Sequence, residues 1–95
     1  MISLEQKTYK EINIGIAGRV TALRKRKKIS QKVLSERSGV SFGSVRRFEK
    51  TGDISLQSLT KIAIALQAED ELEKLFTEVP FASIEEIING QNKKS

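Results

Sequence analysis

The feature that most constrains the fold of this 95-residue chain is the stretch SQKVLSERSGVSFGSVRRFEK, which covers residues 30–50. Ser30 and Ser41 are suited to begin helices, because a serine hydroxyl can accept a hydrogen bond from an unpaired amide of the first turn. Gly39 lies between them, and glycine ends helices because it adopts the left-handed conformation without a Cβ clash. The sequence therefore predicts two short helices joined by a tight turn, over about residues 31–38 and 42–50.

Three further helices are predicted by the spacing of apolar residues. A stripe of Ile16, Val20 and Leu23 predicts an amphipathic helix from about Asn13 to Lys27. Ser55 can cap a helix over about 56–67, with an inward face of Leu56, Leu59, Ile62, Ala63 and Leu66. A short fifth helix is predicted around Leu72, Leu75 and Phe76. The sequence thus predicts an all-α fold of five compactly packed helices.

The chain divides into three predicted parts. Residues 1–12 are an N-terminal arm or extension, either a short helix or an arm packed on the domain. Lys7 and Lys10 would also suit an arm that touches phosphates. Residues 13–78 are the helical domain, and residues 79–95 are a C-terminal tail that begins at the helix-breaking pair Val79 and Pro80. A capping box of Ser83 and Glu86 predicts one or two helical turns in this tail.

Charge and composition narrow the classes of function. Residues 1–50 carry a net charge of +9 and residues 51–95 a net charge of −4, so one face of the molecule is suited to a polyanion. The chain contains no cysteine and no histidine, which argues against disulfides, the usual metal clusters and most enzyme sites, and we expect no cofactor. The N-terminus lacks the apolar segment of a signal peptide, and the cytoplasm is the expected location.

The predicted second helix of the pair has two different sides. Ser35 is a small residue where the two helices would cross, and four apolar residues are predicted to face inward: Leu34, Val40, Val45 and Phe48. The outward side then carries Phe42, Gly43, Ser44, Arg46, Arg47 and Lys50. Such a helix can enter the DNA major groove, where arginine can donate two hydrogen bonds to guanine.

Several motifs occur in order along the chain. They are Leu23-Arg24-Lys25, SQKVL at 30–34, GVS at 39–41, VRRFE at 45–49 and SLQSLTKIAIAL at 55–66. Together they make the stretch Arg19 to Phe76 resemble the five-helix domain of the lambda-repressor-like, or XRE, family of helix-turn-helix regulators. Lys28 departs from the family pattern, since glycine is common at that position.

The resemblance implies roles for individual residues. It places Ser41, Phe42, Gly43, Ser44 and Arg47 near base edges. It places Gln31 near a phosphate, and it pairs Arg24 with Glu49 in an ion pair that holds the reading helix. By their positive charge, Arg46, Lys50 and Lys28 are further candidates for binding phosphates. Phe42 replaces a polar residue, so it either touches a thymine methyl or packs against the protein.

Two functions are consistent with this resemblance. The first is a sequence-specific repressor of double-stranded DNA that binds a palindromic operator as a homodimer. The alternative is an antitoxin that binds a HipA-like toxin and represses its own operon, because the tail and the RRFEKTGDISLQSL segment resemble HipB-like regulators. The apolar tail residues either fold back on the fifth helix or form a dimer or partner contact: Phe81, Ile84, Ile87 and Ile88.

Overall fold

Side-chain caps begin four of the five helices in the computed structural model, which describes residues 7–78. In each case the hydroxyl oxygen accepts a hydrogen bond from the amide three residues later, and the capping residues are Thr8, Ser30, Ser41 and Ser55. The helices are α1 (Tyr9–Arg26), α2 (Gln31–Ser38), α3 (Phe42–Thr51), α4 (Leu56–Ala65) and α5 (Glu69–Glu73). The described residues contain no strand, and the predicted all-α, five-helix fold is confirmed.

The core is formed where α1, α2, α3 and α4 meet. α3 packs against both α1 and α2, while α2 also packs against α4. Seven apolar side chains are buried together there: Ala17, Leu34, Val40, Val45, Phe48, Ile62 and Leu66. The predicted inward set of the α2–α3 pair is therefore confirmed, and the burial of Val45 and Phe48 directs the opposite side of α3 toward solvent.

α1 begins four residues before the predicted start at Asn13. Thr8 caps it, accepting a hydrogen bond of 3.2 Å from the amide of Glu11. Residues 9–12 thus belong to the first helix rather than to an arm, while residues 1–6 lie outside the described part of the chain. Tyr9 and Ile12 are exposed, so this first turn of α1 contributes no apolar side chain to the core.

The prediction is less accurate in α4 and α5. Leu56 was expected to face inward, but it lies in the first turn of α4 and is 68% exposed. α5 ends at Glu73, so Leu75 and Phe76 lie beyond it, and Phe76 has a positive φ of 61° and is 92% exposed. The tail, residues 79–95, lies outside the described residues together with its predicted contact residues, Phe81, Ile84, Ile87 and Ile88.

Candidate nucleic-acid interface

The turn between α2 and α3 is fixed by hydrogen bonds from serine side chains as well as by glycine. Gly39 has the left-handed φ of 76° that ends α2. The Ser35 hydroxyl donates to the carbonyl oxygen of Val40 over 2.6 Å, and the Val40 amide donates to Ser38 Oγ over 3.1 Å. Because Val40 is also buried, the turn is held by polar contacts and by packing. Ser35, predicted as the small residue where the two helices cross, therefore also holds the turn through a hydrogen bond.

The residues expected to read bases lie together on the exposed side of α3. Ser41, Phe42, Gly43, Ser44 and Arg47 all contact solvent. The Ser41 hydroxyl accepts from the Ser44 amide over 3.1 Å and donates to Ser44 Oγ over 2.8 Å, so its first role in the free protein is to cap α3. A Cβ added at Gly43 would meet no atom within 4 Å, so the surface there is open to an approaching ligand.

Phe42 and Arg46 form a stacked pair one helical turn apart. The guanidinium carbon of Arg46 lies 5.5 Å from the centroid of the Phe42 ring, within the range of a cation–π contact. Phe42 is 43% exposed, so it is not part of the buried core. The contact orients the Arg46 side chain along the exposed face of α3.

Arg47 forms an ion pair with Asp53 in the free protein, a contact that was not predicted from the sequence. Arg47 Nη2 lies 2.7 Å from Asp53 Oδ2, and the two side chains are 70% and 63% exposed. An ion pair this exposed contributes roughly 0–1 kcal/mol. Arg47 can therefore leave Asp53 for a stronger bidentate partner at small cost.

Arg24 and Glu49 form a buried, bidentate ion pair between α1 and α3. Arg24 Nε donates to Glu49 Oε2 over 2.7 Å, and Arg24 Nη2 donates to Glu49 Oε1 over 2.9 Å. The remaining guanidinium nitrogen, Nη1, donates to the carbonyl oxygen of Ile29 over 2.8 Å. The side chains are only 9% and 6% exposed, so this pair ties the last turns of α1 to α3 and to the chain before α2.

Gln31 joins the same carboxylate from α2. Its Nε2 donates to Glu49 Oε1 over 2.9 Å. A side-chain amide has two N–H donors, so this bond leaves one for another acceptor. The residue was expected to contact a phosphate, and the structure adds that Glu49 orients its amide group.

The environment of Glu49 favours the ionised carboxylate. Burial alone would raise its pKa, but the hydrogen bonds from Arg24 and Gln31 and the positive charge of Arg24 outweigh burial and lower the pKa of Glu49. The carboxylate is therefore charged at neutral pH and stabilised by two other helices.

The two remaining lysines expected near phosphates are exposed and lie at either end of the helix pair. Lys50 is in the last turn of α3. Lys28 precedes α2 and has a positive φ of 61°. The family's common glycine at this position is therefore explained by the backbone conformation, which lysine adopts here at some cost.

The end of α3 is positioned by a close backbone contact that the sequence did not predict. Gly52 ends α3 with a left-handed φ of 82°. A Cβ placed there would lie 2.7 Å from the carbonyl carbon of Asn13 in α1. Only glycine fits this contact without a shift, so α1 holds α3 at Gly52 as well as at Glu49.

The comparisons with known proteins agree with this geometry. A family model described as Helix-turn-helix matches residues 20–73, which is more than half of the chain. No curated protein and no solved structure matches the chain significantly. Within residues 7–78, no three acidic side chains are grouped to hold a metal ion, and no helix is long and apolar enough to cross a bilayer.

Proposed function

The chain belongs to the XRE-type helix-turn-helix family of DNA-binding transcriptional regulators, and from this premise we propose that it is a repressor that reads a palindromic operator as a homodimer. The observation that carries the proposal is the exposed side of α3. It presents an open N-terminal surface followed by Arg46, Arg47 and Lys50, on a helix held from behind by Glu49.

The proposed contacts divide by chemistry. Arg47 reads a guanine, because two parallel N–H donors match the O6 and N7 acceptors in the major groove. Ser41, Phe42, Gly43 and Ser44 form the surface that approaches the neighbouring bases. Gln31, Lys28, Arg46 and Lys50 bind phosphates, which fix the register of the protein on DNA without specifying sequence.

The proposed homodimer matches the symmetry of a palindromic operator. Two copies related by a twofold axis place their α3 helices in successive major grooves, about 34–36 Å apart. Affinity selection from random DNA should therefore recover inverted repeats with half-sites about 10–10.5 base pairs apart. Recovery of unpaired half-sites alone would contradict the homodimer.

Arg47→Ala tests the base-reading role. We expect it to lose about 1–3 kcal/mol of binding to the selected operator and much less on scrambled DNA of equal length. Arg37→Ala is the matched control, since Arg37 is an exposed arginine on α2 outside the proposed contact set. Equal losses on both DNAs would reduce Arg47 to a phosphate contact, and an absence of DNA binding at low salt would refute the proposal.

The antitoxin alternative stays a prediction. One of the two segments that motivate it, residues 80–88, lies outside the described part of the chain, and the other, residues 46–59, includes most of α3. The face of α3 supports DNA binding under either function.

A further inference from the structure

An apolar cleft of about 340 Å³ lies between α1, α4 and α5. Its lining includes the apolar side chains of Ile16, Val20, Leu59, Leu72 and Leu75, and the charged side chain of Arg19. No residue of α2 or α3 lines the cleft, so it is separate from the proposed DNA-binding face.

The apolar groups around this cleft are incompletely covered by the described residues. Leu75 is 51% exposed, and Ile16, Val20, Leu59 and Leu72 are only partly buried. α5, which forms one wall, is five residues long and has no side-chain cap at its N-terminus. Apolar side chains that fill such a cleft stabilise the folded protein, because their burial removes apolar surface from water.

The chain itself continues from the edge of the cleft. Leu75 lies three residues before Glu78, the last described residue, and 17 residues follow. Phe81 is six residues beyond Leu75, so a connection of up to about 20 Å can join them. This segment contains four large apolar side chains within eight positions: Phe81, Ile84, Ile87 and Ile88.

Tethering favours this segment of the same chain as the occupant. A short tether raises the local concentration of a segment to about the millimolar range, far above that of a second copy in dilute solution.

We infer that residues 81–88 pack into the cleft between α1, α4 and α5 of their own chain, and that their isoleucine side chains complete the apolar surface there. The inference does not depend on operator binding, and its test uses no DNA.

The absence of cysteine from the sequence makes disulfide trapping the direct test. The full-length double variant Leu59→Cys with Ile87→Cys places one thiol in the cleft and one in the segment. Lys32→Cys with Ile87→Cys is the control, because Lys32 is exposed on α2 and does not line the cleft. Equal amounts of ¹⁴N- and ¹⁵N-labelled protein are mixed, oxidised and digested, and the linked peptides are identified by mass spectrometry.

We expect linked peptides of a single isotope, about ten times or more as abundant for the cleft pair as for the control pair. Mixed-isotope links would overturn the inference in favour of a second copy. Similar yields for the two pairs, or no link from the cleft pair, would overturn it as well.

A second measurement covers the case in which Leu59→Cys does not fold. Ile84→Asp with Ile87→Asp changes only the segment, and Asn89→Asp with Gln91→Asp adds the same charge without removing an apolar group. We expect the first pair to lower Tm and to increase binding of an apolar fluorescent dye relative to the second. Equal values for the two double variants would overturn the inference.

Discussion

Helices α2 and α3 have a side-chain cap at the N-terminus and a glycine at the C-terminus, whereas α5 has neither. α2 and α3 each begin with a serine cap and end with a left-handed glycine. The N-cap residue of α5, Ala68, makes no side-chain hydrogen bond, and its C-cap residue, Lys74, is not a glycine. The difference shows that the described residues fix the orientation of α3 by themselves, while the cleft beside α5 offers room for a further element.

Among the substitutions that test how α3 is held, removal of Arg24 should lower the free energy of unfolding most. Arg24→Met leaves Glu49 buried without its charged partner, so we expect the free energy of unfolding to fall by about 3–5 kcal/mol. Lys25→Met removes an exposed neighbouring charge and should cost less than about 0.5 kcal/mol. Denaturant unfolding measures both values, and similar losses would mean that α3 is not held by this pair.

The two left-handed glycines test how α3 is held at its two ends. Gly39→Ala should cost about 1–2 kcal/mol, because alanine is strained in the left-handed conformation but has open space around it. Gly52→Ala should cost more, since its Cβ also meets the backbone of Asn13. Thermal or denaturant unfolding gives the order, and an equal cost at both positions would contradict the close contact between α1 and Gly52.

Acidification should weaken the hydrogen-bonded network of Arg24, Glu49 and Gln31. Because the pKa of Glu49 is lowered in the folded state, its ionised form stabilises the protein above the ordinary glutamate pKa of about 4.3. This contribution is lost as the pH falls through the lowered folded-state pKa. We therefore expect the difference in unfolding free energy between wild type and Glu49→Gln to shrink with acidification. Glu36 is exposed on α2 and provides the control, because Glu36→Gln should change the free energy of unfolding by less than about 0.5 kcal/mol.

Gly43→Ala should change stability less than the substitutions above, and it should affect stability and DNA binding in opposite directions. An added methyl group meets no protein atom at Gly43 in α3 or at Gly18 in α1. Both substitutions should stabilise their helices by up to about 1 kcal/mol. Only Gly43→Ala should weaken operator binding, because its methyl group would lie on the proposed DNA-binding face. Unchanged operator affinity would exclude close contact at this position.

Local chemistry explains which parts of the fold the sequence predicted well. The start of α2 and its end at Gly39 were predicted because capping depends on residues within one turn of each other. Burial of Val45 and Phe48 followed from helical spacing. The start of α1 was predicted four residues too late. Its first turn is fixed by the cap at Thr8 and carries the exposed side chains of Tyr9 and Ile12, so it does not depend on a buried apolar stripe.

Contacts between distant residues were harder to predict. The position of α5 depends on packing against α4, and its apolar residues did not reveal that the helix ends at Glu73. No local pattern links Arg47 to Asp53 or Gly52 to Asn13. The pairing of Arg24 with Glu49 was expected only from the resemblance to the family, since the two residues are 25 positions apart.

The convergence of three helices on Glu49 has a thermodynamic consequence for recognition. Its carboxylate accepts hydrogen bonds from α1 and α2 while belonging to α3, so rotation of α3 alone would break several bonds at once. The backbone of the helix is already ordered before any ligand arrives. Association of a ligand with α3 therefore requires little loss of backbone conformational entropy, and the conformational entropy lost by this helix would come from its exposed side chains.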